Sequence, residues 1–168
     1  MGTSTTGRPP GPEGTSEDGG GRCLTAGAAR LVLAVVWCWA GWAKVQQPEQ
    51  SVQAVRAYRV LPESWVTPVG HGLPVLELGI AMLLLLGLRV RFAALLSTVL
   101  LVVFAGAVVH ARQRGLAIDC GCFGGGGEID PADTQYSKEI LRDLALICPG
   151  VWLMCRPRSR YALDNVVA

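Results

Sequence analysis

Three stretches of this 168-residue chain are too apolar, and too long, to sit in a water-soluble fold. The first runs from about Cys23 to Ala43 and holds one charge, Arg30; the second, Val66 to Leu88, holds Glu77 alone. The third, Phe92 to Ala111, has no Asp, Glu, Lys or Arg. Each is long enough to cross a hydrocarbon core of about 30 Å as a helix. Helices are expected because hydrocarbon offers no water to backbone N–H and C=O groups, which must then pair within the segment. A fourth, weaker stretch, Ile140 to Cys155, carries Arg142, Asp143 and Pro149 and leaves twelve uncharged residues from Leu144 onward. Packed against the other three, it completes an all-α integral membrane protein, a four-helix bundle in the lipid bilayer. Only 17% of the residues are charged, against roughly 25% in soluble domains, which sets a soluble enzyme aside. A net charge of +2 is too small for a nucleic-acid surface.

Residues 1–22 contain seven Gly and three Pro and almost no large apolar side chains. Such a segment cannot bury enough surface to offset its ordering entropy. The expected organisation is a disordered tail at 1–22, a membrane domain at 23–155 and a short tail at 156–168. Arg30 is expected near the membrane rim, where its long stem can snorkel. Arg22 and Arg30 ahead of Leu31–Trp39, with Gly41-Trp42-Ala43 behind, also fit a secretory leader; the long lead-in and the three Trp crowded at that cut favour an uncleaved span. Four spans put both termini on one side. That side carries seven basic residues, two of them in the tight 89–91 turn, against six spread through the longer loops. The positive-inside rule then makes both termini cytoplasmic, in a multi-pass protein of the cell membrane.

Whichever way the chain inserts, one face collects the unusual residues. Span 1 ends there at Lys44, Glu77 lies less than halfway down span 2, and span 3 ends at His110. Span 4 starts there with Arg142 and Asp143. Ionisable groups inside a bilayer are costly and normally meet a partner or a cavity, so Glu77 is expected to pair with Lys44 or Arg142. Such a network can simply fix helix register, or it can line a pocket that tunes thiols. The loop above it reads Asp119-Cys120-Gly121-Cys122-Phe123-Gly124.

Two thiols one residue apart can close a small, strained and therefore reducible ring, which suits a redox pair. Cys120 and Cys122 are the candidate catalytic residues, with Lys44, Glu77, His110 and Arg142 as the pocket that tunes them. The run Gly124–Gly127 is expected to give the pair freedom to reach a partner. Two other readings stand beside this one. A permanent structural disulfide suits an extracytoplasmic loop. A metal site of Cys120, Cys122 and His110 lacks a fourth ligand, so no metal is assigned. Cys38 and Cys148 sit at one depth, six residues inside Lys44 and past Arg142, and form a candidate thiol relay; buried Cys also serves as a small apolar residue. Residues 44–65 read as a short interfacial helix ended by Pro62, with Val52, Val55 and Tyr58 on one face. No phosphate loop, dinucleotide fingerprint or zinc-protease helix is present.

In order and spacing, several short motifs resemble the methylamine-utilisation MauE family, within the wider DoxX-like group of four-helix membrane proteins. They are Ala40-Gly41-x-x-Lys44, Pro48, Tyr58-x-x-Leu61-Pro62, Pro74-x-x-Glu77-x-Gly79, Phe104, and Arg114-Gly115 leading into Cys120-Gly121-Cys122-Phe123-Gly124. The resemblance implies a DoxX-like four-helix bundle with a redox-associated role. It links the chain with maturation of the methylamine dehydrogenase small subunit, whose disulfides form outside the cytoplasm. The partner expected on this basis is an extracytoplasmic thiol protein or a thioredoxin-like one, with membrane quinone as the candidate electron acceptor. A non-catalytic assembly factor, its Cys loop braced by a disulfide, is the second reading. A small-molecule carrier built around Glu77 is the third.

Overall fold

The computed structural model describes residues 17–155, and side chains from Leu24 onward. Four long helices and one short one carry the chain: α1 (Glu17–Gln46), α2 (Pro48–Ala57), α3 (Glu63–Leu86), α4 (Val90–Gln113) and α5 (Tyr136–Cys155). Between α4 and α5 lies a two-stranded hairpin, β1 (Ile118–Asp119) and β2 (Gly127–Glu128), followed by a single 3-10 turn at Pro131–Asp133. α1 begins at Glu17, so residues 17–22, expected in the tail, belong to the helix. The rest of that tail and the tail at 156–168 lie outside the described residues.

The long helices close into a ring in which α1 and α4 each pack against α3 and α5. Along α1 a buried stripe runs through Ala26, Arg30, Leu33, Trp37, Ala40 and Lys44, in alternating steps of four and three, with Ala34 and Gly41 buried beside it. That is the stripe of a bundle helix. Small residues let the backbones close up, as they do between helices in membranes. A Cβ on Gly41 would lie 2.8 Å from Leu78 Cγ, and one on Gly150 2.5 Å from Thr98 Oγ1. Trp37 spans the ring's diagonal, its indole N–H donating to Ser97 Oγ at 2.7 Å. Outward lie Leu31, Val35, Trp39, Met82, Phe92 and Val102, all at least half exposed. A belt of that kind needs lipid, not water.

α1 from Leu24, α3 and α4 are each long and apolar enough to cross a membrane. This is a membrane protein. Arg30 does not snorkel at a rim as expected; it is buried within the bundle at 5% exposure.

α3 ends where Gly87 takes φ +66° and the Leu88 N–H closes back on Leu83 O at 3.0 Å. Inside α3, Pro74 has no N–H and leaves the Gly70 carbonyl without its helical partner. The Ser51 hydroxyl of α2 donates to that carbonyl at 2.8 Å, and a Cβ on Gly70 would sit 2.8 Å from Val52 Cα. α2 is therefore docked on α3 through Ser51 and Val52, while its buried Ala54 and Ala57 face the Cys loop and the cluster of Ala111 and Ile118. It is not a free interfacial helix, and it stops at Tyr58, before Pro62.

The Cys loop in turn rests on α2. Gly121, Gly124, Gly125, Gly126 and Gly127 all have positive φ. The run expected to supply freedom of movement is instead a set of backbone positions that only glycine fits without strain. A Cβ on Gly126 would fall 2.5 Å from Ala54 Cβ. Gly126→Ala is expected to cost about 1–3 kcal/mol and to lift the loop, raising the alkylation rate of buried Cys122 at least about tenfold. Site-resolved mass spectrometry after a timed iodoacetamide pulse measures this; an unchanged rate would mean the loop is not held through Ala54.

Candidate functional site

The Gly41 contact brings α1 close to α3, and one turn on, the Lys44 ammonium reaches the Glu77 carboxylate. The distances are 2.7 Å to Oε1 and 2.9 Å to Oε2. A third bond, 3.1 Å long, goes to the Cys122 carbonyl. All three ammonium donors are thus used at a group only 5% exposed, opposite a carboxylate with no exposed surface. The Phe104 ring lies 5.9 Å from the ammonium. Of the two expected pairings for Glu77, Lys44 is the one made. Arg142 pairs with Asp143, its Nε and Nη2 each 3.0 Å from Oδ1.

Arg142 faces the Cys loop. Its Nη2 lies 3.8 Å from Cys120 Sγ, and its guanidinium stacks 4.7 Å from the centre of the Phe123 ring. The Cys122 backbone N–H also points at Cys120 Sγ, at 3.4 Å. Cys120 and Cys122 are both free thiols here, and they are unlike. A hydrogen bond from the Cys122 thiol holds Cys120 below the usual thiol range, helped by the Cys122 N–H and by Arg142. Cys122, which makes that bond and is almost fully buried, is pushed well above it. Of the two, half-buried Cys120 is the one whose thiolate is favoured. It opens on a cleft of about 600 Å³ between the loop and the start of α5.

Three neighbours position this loop. Tyr136, at the start of α5, donates its hydroxyl to the Leu116 carbonyl and accepts the Ile118 N–H at 3.1 Å. Tyr58 packs beneath, and burial first, then the nearby Cys sulfurs, keep its phenol well above its usual range and neutral. Asp119 Oδ1 accepts the Gly121 N–H at 3.4 Å.

Lys44, Arg142, Cys120 and Cys122 come together as expected, with Glu77 held beneath by Lys44. His110 does not join them; it lies exposed on α4 while its neighbour Ala111 is buried. The helix turns once every 3.6 residues, so burying Ala111 swings His110 outward. Cys38 and Cys148 are both exposed on outer helix faces. Cys148 Sγ bonds only its own helix, at Leu144 O. Among the described residues neither has a disulfide or hydrogen bond to the loop pair, so the relay has no path there. Sequence reading passed over Glu139, which precedes Arg142 by three positions and Asp143 by four. That spacing sets all three on one helical face, the signal that would have found it. Asp119, Cys120 and Glu139 bring one donor atom each within 4.8 Å of one another. The positive charge beside that sulfur is the Arg142 guanidinium.

A family model described as "Methylamine utilisation protein MauE" matches residues 22–156. The chain belongs to the MauE family. It is 37% identical over 100 residues to the methylamine utilization protein MauE of Paracoccus denitrificans, covering 59% of this chain and 54% of that one. To the MauE of Methylorubrum extorquens it is 39% identical over 98 residues, 58% of this chain and 53% of the other. To that of Methylophilus methylotrophus it is 38% identical over 135 residues, 77% and 67%. The chain thus spans about half the length of the first two relatives. No solved structure matches. In this MauE-family chain, Gly41, Lys44, Pro74 and Glu77 of the family-like motifs serve one construction, the α1–α3 crossing beneath the Cys loop.

Proposed function

We propose that this protein is a membrane thiol–disulfide protein that supports disulfide formation in an extracytoplasmic partner, within methylamine utilisation. The observation that carries the reading is the inequality of the pair: Cys120 half-buried at a cleft with its thiolate favoured, Cys122 almost fully buried behind it. In the oxidised protein a partner thiolate attacks Cys120 Sγ, the Cys120–Cys122 bond breaks, and Cys122 leaves with the electron pair. The partner's second thiol then attacks its own sulfur in the mixed disulfide and releases Cys120. The partner loses two electrons and two protons, and the protein ends as the dithiol. Re-oxidation sends them to membrane quinone. An apolar groove of about 590 Å³, lined by Val35, Cys38, Trp39, Trp42, Leu85 and Phe123, ends at the residue next to Cys122 and suits such an acceptor.

In this reading α5 is the fourth span at 140–155, both termini are cytoplasmic, and the loop faces outward from the cell membrane. The second reading, a non-catalytic assembly factor, draws support from the seating of the loop on Ala54 and Lys44. One titration separates them. In native membranes, differential alkylation across a glutathione series is expected to give a Cys120/Cys122 midpoint above about −250 mV, among exchanging dithiols. A pair locked oxidised below about −300 mV is a structural disulfide, and the assembly factor then stands.

A further inference from the structure

We propose that Glu139 is the proton acceptor of Cys120, the two sharing one proton across the cleft. The assignment rests on the thiol-exchange reading and adds to it the group that handles the proton. A Glu139 carboxylate oxygen lies within 4.8 Å of Cys120 Sγ, with Asp119 the third member of the cluster. Glu139 Oε2 is buried and has no hydrogen-bond partner among the described residues, an expensive state for a carboxylate oxygen unless a proton visits it. Glu139 comes just before the proposed span at 140–155, and burial raises its carboxyl above the usual carboxylate range. A raised acid beside a lowered thiol brings the two proton affinities together, which makes transfer between them easy.

The other groups around this proton come from every element at the cleft. Asp119, Cys122 and Asp133 come from the hairpin and turn, and Lys138 and Arg142 from α5. Tyr58 approaches from the end of α2, and Lys44 bonds the Cys122 carbonyl from α1. Arg142, beside Cys120 Sγ, favours the thiolate. Glu139 is the carboxylate that reaches the sulfur from α5. When quinone re-oxidises the dithiol and the Cys120–Cys122 bond forms again, the Cys120 proton passes first to Glu139. When Cys120 is itself released as thiolate, the proton returns.

The test reads that proton alone. In the full-length protein carrying Cys122→Ser, iodoacetamide modification of the Cys120 peptide is followed from pH 5 to 10. Two coupled groups ionise in two macroscopic steps. The expected profile therefore has two steps with Glu139, two with Glu139→Asp, and one with Glu139→Gln. A single step with Glu139 present, or an identical profile in Glu139→Gln, overturns the assignment. At pH 10, equal modification rates in all three variants establish that the cleft has kept its fold. The redox midpoint does not enter this readout. A two-step profile beside a locked midpoint therefore overturns the exchange reading and leaves the proton pair standing.

Discussion

Replacing Lys44 with methionine is expected to be among the most damaging single changes in the protein. Both Glu77 oxygens bond Lys44, and the carboxylate has no exposed surface through which water could replace it. Breaking a buried pair by removing one partner costs about 3–5 kcal/mol, because the other charge is left uncompensated. The Lys44→Met protein should accumulate poorly in membranes and unfold at markedly lower denaturant in detergent. The informative variant is the double one, Lys44→Met with Glu77→Leu. Apolar replacement of an entire buried pair is often neutral or stabilising, so most of the lost stability should return. The Cys122 carbonyl, however, loses its 3.1 Å ammonium donor in both variants. Iodoacetamide should therefore reach Cys122 faster in the double variant even though its fold has recovered. If stability returns and Cys122 stays as protected as before, Lys44 holds the bundle and not the loop.

The span pattern was legible because lipid imposes a simple requirement. A segment long enough to cross must be apolar, and a charge within it must have a partner, so Glu77 was expected to meet Lys44 or Arg142, and it is Lys44 that bonds it. Arg142 was less determined by sequence. Its immediate neighbour Asp143 took Nε and Nη2, and the same Nη2 also faces the sulfur. His110 failed because a helix can place adjacent residues on opposite faces, and one residue of rotation separates the buried Ala111 from an exposed imidazole. The glycine run failed for a different reason. Glycine serves both loose chain and closely packed chain, and only the position of Ala54 decides between them. Nothing in residues 118–128 reports that α2 lies underneath. Glu139 was hidden by its ordinary position in the first turn of a helix, where an acid is expected to favour the dipole.

The largest effect on chemistry is expected from separating the two cysteines. Cys120 is half-buried at the cleft, bonded by the Cys122 N–H and flanked by Arg142, so it should be the sulfur that meets the partner. Cys122 is 9% exposed and holds its proton, so it should react only with Cys120. With glutathione disulfide as probe, reduced Cys122→Ser protein should form a stable Cys120–glutathione adduct, because no second thiol remains to expel the glutathione. Cys120→Ser should form its adduct on the order of a hundredfold more slowly, since the thiolate is the nucleophile and Cys122 is both protonated and covered. Intact-protein mass spectrometry, with the adduct mapped to its peptide, separates this from reaction at exposed Cys38 or Cys148. Reaction of both variants at similar rates would remove the division of labour between the two sulfurs. The exchange would then need a loop that leaves α2 before it reacts, against the contacts of Gly121 and Gly126 with Ala54. A slow Cys120→Ser variant and a trapped Cys122→Ser adduct together would mean that the bundle presents one sulfur outward and keeps the other in reserve.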